Sequence, residues 1–334
     1  MPPEEQKIET YHQNFLIDNK KIIVASATVI LLFLLFYQLF WSAPSKFPTG
    51  QIYDLKTGQN LSVVSGNFIK SNIIKSNFWF KSFVYVFSLG KATMIEGDYA
   101  LYKKQSVISL AWRVTHGLLD IVPIRITIPE GTNSFEISYM LSNNFPSFDK
   151  NIFLNLVQSE KLEGYLFPDT YLFMPNMTEK EMIKMMTDNF KRKIVEFEPL
   201  IKKFGKSESD VIKMASIIEE EGRTTETREI IAGILWKRLS VKMPLQVDSS
   251  FKYINGKTTE TLTTDDLKID SPYNSYTNRG LPPTAISNPG LEAIKATLNP
   301  IKTSYFYFLS DKDGNMHYAV TFDEHIANKS KYIK

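Results

Sequence analysis

Three consecutive glutamates, Glu219, Glu220 and Glu221, close a segment whose spacing predicts a helix over 207–221. Successive helical residues turn by about 100°, so the three carboxylates point in different directions. Val211, Met214, Ala215 and Ile218 form the apolar stripe, with Ile212 at one edge and Ile217 beyond the other. Glu219 falls between Ile212 and Ala215, and Glu221 between Met214 and Ile217. Glu220 falls beside Lys213 on the opposite face and is expected in solvent. A carboxyl drawn into apolar surroundings resists ionisation, and a protonated carboxyl at neutral pH can act as a general acid. The plain alternative is a solvated helix end. Acidic groups at a helix C-terminus oppose the macrodipole, however, so the run is locally unfavourable and asks for another reason to exist. The residue pattern leaves both Glu219 and Glu221 as candidates.

Three further stretches could shape a cleft. The segment 271–290, SPYNSYTNRGLPPTAISNPG, is rich in Pro, Gly, Asn and Tyr. Tyr273, Asn274, Tyr276 and Asn288 offer flat faces and amides suited to a neutral polymer with hydroxyl and acetamido groups. A proline-stiffened turn is the bland reading of the same stretch. Gln246 and Asp248 lie in MPLQVD, where capping or turn formation is the competing role. Glu163 and Tyr165 lie in LEGYLFPDTY, and a charge in so apolar a decapeptide calls for a partner. That stretch is expected to be half core and half cleft wall.

Other chemistries are excluded early. The chain has 334 residues and no cysteine, which removes disulfides, thiolate metal sites and a Cys nucleophile. The four histidines, His12, His116, His317 and His325, include no i,i+4 ligand pair, so no metal or cofactor is expected. No Ser-His-Asp pattern or phosphate loop stands out. A net charge of +3, with 39 basic and 36 acidic residues, argues against a nucleic-acid binder.

The elements that must position these residues begin with 22–41, twenty residues without a charge. At ~1.5 Å per residue such a helix spans about 30 Å, the hydrocarbon thickness of a bilayer. The run exceeds a signal-peptide core, and Pro44 follows the only small pair, Ser42-Ala43, so an uncleaved anchor is favoured over a cleaved leader. Lys7, Lys20 and Lys21 precede the span, and Tyr37 and Trp41 mark its far end. The expected arrangement is a cytoplasmic tail 1–21, a single transmembrane helix 22–41 in the cytoplasmic (inner) membrane, a linker 42–50, and the rest on the outer, periplasmic side.

Residues 51–130 read as short β-like runs, including 83–87 and 124–128, around a helix 106–116 ending at Gly117. This strand–helix–strand unit is expected to lean on its neighbour for a core. Residues 131–334 read as mainly helical: 134–141, 178–197 with the capping box Thr178-x-x-Glu181, 207–221, and 226–239 with Ile231, Ile234, Leu235 and Leu239 on one stripe. Asn288 and Pro289 are expected to open a helix as cap and first residue, closed by Asn299-Pro300. Strands at 305–309 and 316–322 flank Asp313-Gly314, a hairpin signal. The fold class is α+β with a C-terminal β-hairpin.

At these residues the sequence resembles the MltG (YceG-like) family of membrane-anchored endolytic murein transglycosylases. The strings that carry the resemblance are IPEGTN (128–133), LEGYLFPDTY (162–171), ASIIEEEGR (215–223), MPLQVD (243–248), SPYNSYTNRGLPP (271–283) and NPGLEAIKATLNP (288–300). The sequence departs from the family pattern at Ser249-Ser250, Thr284-Ala285 and Ile326. The resemblance implies a small LysM-like subdomain at 51–130 and a catalytic domain at 131–334. It implies cleavage within peptidoglycan glycan strands, tied to cell-wall synthesis and glycan length, with cell-wall synthases as partners. It chooses Glu219 as the catalytic carboxyl. Glu163, Tyr165, Gln246, Asp248, Tyr273, Asn274, Tyr276 and Asn288 remain the candidate substrate-binding residues. A membrane-tethered scaffold that binds glycan without cutting it is the alternative from a different functional class.

Overall fold

The computed structural model describes Lys20 and residues 22–333. Most of the expected tail 1–21, including Lys7, His12 and Lys21, lies outside the described residues. The chain divides into two compact units between Val122 and Pro123.

In the N-terminal unit, helix α1 (Ile22–Trp41) is long and apolar enough to cross a membrane. Its last turn, Tyr37–Trp41, is π-helical. Strand β1 (Gln51–Leu55) follows, then α2 (Leu61–Lys70), α3 (Asn77–Phe87), β2 (Gly97–Leu101) and α4 (Val107–His116). The two strands pair antiparallel, Gln51 opposite Leu101. Helix α4 ends as expected at Gly117, whose φ of 67° suits a residue without Cβ. Buried Arg113 donates to the carbonyls of Ala100, Leu118 and Leu119, and so ties β2 and the following loop to α4.

Two expectations fail in this unit. Residues 83–87 are the end of helix α3, not a strand. The run NFWFKSFVYVF is apolar on nearly every side, so periodicity could not separate strand from helix, and Ser76, which accepts the N–H of Trp79, starts the helix. The unit also has its own core, built on Leu55, Val64, Phe68, Phe80, Val84, Tyr99 and Leu110. Phe47, from the stretch 42–50, is buried in that core.

The second unit is helical with two small antiparallel sheets. Strand β3 (Ile124–Thr127) pairs with β4 (Thr170–Phe173), not with any strand before it. Between them lie α5 (Ser134–Asn144) and α6 (Lys150–Ser159). Helix α7 (Glu179–Ile194) opens on the expected Thr178–Glu181 capping box. A short α8 (Glu198–Phe204) leads to α9 (Glu208–Glu221), capped by Ser207, and to α10 (Thr225–Ser240). Then come α11 (Ser250–Asn255) and α12 (Leu291–Leu298). The hairpin of β5 (Tyr307–Ser310) and β6 (Met316–Ala319) turns through Gly314, and α13 (Phe322–Tyr332) follows it where strand had been expected to continue.

Helix α9 is the spine of this unit. Val211, Ile212 and Ala215 pack into one apolar cluster with Phe190, Ile201 and Ile294. Met214, Ile217 and Ile218 pack into another with Ile231, Leu235, Leu245 and Val247. Helix α10 lies across α12 and the segment after it. At Gly233 the backbone carbonyl of Ile301 comes so close that an added Cβ would sit 1.9 Å from its oxygen. Asn288 and Pro289 do not open α12. Gly290 is its N-cap, because the Asn288 side chain is drawn into contacts distant in sequence.

Candidate active site

The loop before α12 is laid along α9 by two buried hydrogen bonds. Ile286 N–H donates to Ser216 Oγ at 3.1 Å, and Ser287 Oγ donates to the Ser216 carbonyl at 3.1 Å. This register delivers Gly290 to the C-terminal end of α9. Asn288 then staples three loops together. Its Oδ1 accepts from Gly164 N–H and Leu166 N–H, both at 2.9 Å, and its Nδ2 donates to the Thr132 carbonyl and Glu163 Oε1. The strings around 130, 163 and 288 are thereby brought to one place.

Each of the three glutamates at the end of α9 reaches a different neighbour. Glu219 Oε1 accepts from Arg228 Nη2 at 2.5 Å, and Oε2 accepts from Gly290 N–H at 2.9 Å. Its side chain is 6 % exposed. Burial pushes its carboxyl above the ordinary value, and the negative charges of Glu130 and Glu220 add to this, while Gly290 N–H and Arg228 oppose it. Glu220 pairs with Lys252 Nζ at 3.2 Å and is only 18 % exposed, so it is not the solvated residue expected. Burial raises its carboxyl too, against the pull of Lys252. Glu221 turns towards Asp248 and Ser249, and burial pushes it up to about 7.

The unfavourable C-terminal location of these carboxylates is therefore offset by specific groups. Arg228, in the first turn of α10, also donates through Nε to the Gly222 carbonyl at 2.9 Å, which fixes its fork. Gly290 supplies an N–H from the start of α12, where negative charge is favoured.

Glu130 was not among the residues singled out from the sequence, yet it belongs to the site. A Cβ built on Gly290 would lie 1.9 Å from Glu130 Oε1, so Glu130 and Glu219 contact the same glycine. Glu130 is exposed while Glu219 is buried, and the solvent boundary passes between them. Arg228 and Lys252 were likewise missed. A buried carboxylate requires a partner, which was the available hint, but nothing local in the sequence says which cation provides it.

The candidate binding residues divide. Asp248 and Tyr276 meet beside Glu221, with Tyr276 Oη donating to Asp248 Oδ1 at 2.5 Å. Tyr273 is half-buried, its hydroxyl bonded to Thr284 Oγ1 at 2.9 Å and its ring tilted on Tyr253. Gln246 is exposed, and its N–H donates to the Ser275 carbonyl. Asn274 is fully buried and caps its own turn, donating to the carbonyls of Leu267 and Ile269. Glu163 and Asn288 are buried in the loop-stapling network; Glu163 accepts from Ser134 N–H, Ser134 Oγ and Asn288 Nδ2. Tyr165 packs edge-on against Phe190. It lines a cavity of about 630 Å³ with Leu162, Ile183 and Ile194, whose walls include none of the three glutamates.

Residues 53–331 match the model of the YceG-like family. The chain is 32% identical over 313 residues to an endolytic murein transglycosylase of Bacillus subtilis, covering 84% of this chain and 86% of that protein. It is 28% identical over 316 residues to an endolytic murein transglycosylase of Streptococcus pneumoniae, covering 83% of this chain and 57% of that longer protein. A crystal structure of a YceG-like protein from Listeria monocytogenes superposes with a TM-score of 0.56 at 26% identity, covering 84% of this chain and 99% of that one. The chain belongs to the YceG-like family.

Proposed function

We propose that this protein is a membrane-anchored endolytic lytic transglycosylase acting on peptidoglycan, with Glu219 as its catalytic carboxyl. The observation that carries the assignment is the setting of Glu219: a carboxyl buried at a helix end, with its pKa raised and an exposed carboxylate beside it. The names of the relatives supply the substrate class.

In this reading the protonated Glu219 gives its proton to the oxygen joining N-acetylmuramic acid to the next N-acetylglucosamine. The bond from the anomeric carbon to that oxygen breaks, and positive charge develops at the carbon. The 6-hydroxyl of the muramic sugar attacks that carbon, and the Glu219 carboxylate takes the hydroxyl proton. The products are a 1,6-anhydro end and a free 4-hydroxyl, with no water consumed. An internal nucleophile needs only orientation, so a single carboxyl can serve first as acid and then as base. Glu130, unburied, helps to keep Glu219 protonated, while Arg228 and Gly290 N–H hold the ionised form between steps. Asp248, Tyr273 and Tyr276 contribute to the sugar-binding wall, and Glu163 and Asn288 act by fixing the loops. Helix α1 holds the protein in the cytoplasmic membrane with the second unit on its outer side, among the cell-wall synthases.

The test is cleavage of purified glycan strands by the full chain and by Glu219→Gln, with products read by mass spectrometry in heavy-oxygen water. General acid–base catalysis is worth roughly 10²–10⁴-fold, and the variant should lose at least that much. Unlabelled 1,6-anhydro ends are expected. Label at the new ends would make the enzyme a hydrolase, and binding of sacculi without cleavage would make it a scaffold.

A further inference from the structure

Helix α3 is apolar around most of its circumference, and only part of it faces protein. Phe80 and Val84 are fully buried in the core of the N-terminal unit. Phe78 and Val86, on the opposite side, are 68% and 64% exposed, and Leu89, just beyond the helix, is 88% exposed. Of the polar residues towards that side, Ser82 is short and Lys81 reaches away to Ser62 Oγ, so large apolar side chains dominate it, and clustered exposed apolar side chains mark a surface that something covers.

The contacts of α3 with α1 identify the cover. The Trp79 ring lies edge-on to both Phe36 and Trp41, each at 5.5 Å between centroids. Trp41 also meets Phe83 at 5.4 Å. Lys75 Nζ donates to the Gln38 carbonyl at 2.5 Å and to Ser42 Oγ at 2.8 Å, which fastens the start of α3 to the end of α1. Phe36 lies five residues inside the end of the apolar span, a depth of roughly 7 Å at 1.5 Å per residue. Trp79 therefore sits level with the last turns of the span, where tryptophan favours the boundary between headgroups and acyl chains. Trp79 and Phe83 thus face α1, while Phe78, next to Trp79 and in ring contact with it, is on the exposed side.

We propose that α3 lies in the headgroup–acyl boundary of the bilayer that α1 crosses, with Phe78, Val86 and Leu89 in contact with lipid. The proposal rests on α1 being a membrane span. The occupant is lipid because α3 is fastened beside the last turns of that span, and an apolar helix face with an aromatic flank is what an interfacial helix presents. The N-terminal unit is then held against the membrane surface.

The absence of cysteine permits a direct test on the full chain in phospholipid nanodiscs. Nitroxide labels go on single-cysteine variants Phe78→Cys, Val86→Cys and Leu89→Cys, with Leu31→Cys inside α1 and Lys104→Cys on an exposed polar site as references. Power saturation compares access by oxygen, which enters lipid, and by a nickel chelate, which does not. The expected result is an oxygen-to-nickel ratio several-fold higher at 78, 86 and 89 than at 104, on the side of 31. Lipid-like values at 31 with water-like values at all three α3 positions would overturn the proposal and leave the span intact. Dipolar broadening between α3 labels would assign the face to a second copy and overturn it as well. A water-like value at 31 would remove the span itself, and the proposal with it.

Discussion

Glu163 lies at the junction of three loops that build the site, and its protonation should be visible in the stability of the second unit. Burial pushes its carboxyl from 4.5 to about 7, although hydrogen bonds from Ser134 and Asn288 favour the ionised form. The folded value lies above the unfolded one, so the folded state binds the proton more tightly. Below about pH 4.5 the carboxyl is protonated in both states and no penalty applies. As pH rises from there through about 7, stability is lost, and above that the loss is complete. At 1.36 kcal/mol per pH unit, the interval from 4.5 to about 7 corresponds to roughly 3 kcal/mol. For a unit of this size each kcal/mol moves the melting temperature by ~2–4 °C, so the loss is worth roughly 6–12 °C.

Glu163→Gln isolates this contribution. The amide cannot ionise, and its nitrogen faces donors where an oxygen had accepted, which costs about 1–3 kcal/mol at every pH. The variant should therefore melt below the parent at about pH 5, and the gap should close or reverse at about pH 8. Melting of the full chain in detergent at the two pH values provides the measurement. Other titrating groups, Glu221 included, are common to both proteins and cancel. A gap between parent and variant that is the same at both pH values would refute the reasoning.

Two charge variants test the balance at Glu219, using kcat/KM for strand cleavage across pH. Activity that needs a protonated Glu219 is lost as pH rises through its pKa, so that limb reports the residue. Glu130→Gln removes a negative neighbour and should move the limb to lower pH, with melting unchanged. Arg228→Gln removes the cation bonded to Oε1 and should move it to higher pH, and a shift of both variants in one direction would contradict the site. Gly233→Ala sets two effects against each other: alanine improves helix propensity by about 1 kcal/mol, but its Cβ would meet the Ile301 carbonyl oxygen at 1.9 Å. A backbone atom cannot swing aside, so overpacking at ~1–3 kcal/mol should win, and a raised melting temperature would show that it does not.

Helix α9 was legible because its apolar residues recur at helical spacing and Ser207 caps it, both of which are local properties. Thr178 and Gly117 marked helix ends for the same reason. Helix α3 was not legible, because a run of aromatic and β-branched residues that meets protein on one face and is apolar on the others carries no period. The strand at 124–127 was found, but its partner at 170–173 was not, since pairing across two intervening helices leaves no local trace. Asn288 failed as a cap for a related reason. Its amide is worth more joining Gly164, Leu166, Thr132 and Glu163 in the interior, where unpaired polar groups are costly, than at a helix end open to solvent.

The helical wheel could place Glu219 and Glu221 at the edges of the stripe but could not rank them, because both edges are buried. What separates them is the company each keeps. Glu221 faces Asp248, whose carboxylate is already committed to the Tyr276 hydroxyl, and its charge is felt by the buried Arg238. Its neighbours Asp248, Ser249 and Tyr276 are half-buried, and no guanidinium among the described residues bonds it directly. Glu219 shares Gly290 with a carboxylate that remains in solvent, and its own ion pair is with an arginine anchored through Nε to the backbone of Gly222. A group that must give a proton to a polymer and take one back needs an open side, a held ionised form and a cost to being ionised. Of the three glutamates, Glu219 alone combines an N–H and a guanidinium to hold the charge, burial to resist it, and an exposed anion beside it, the combination that the proposed role requires.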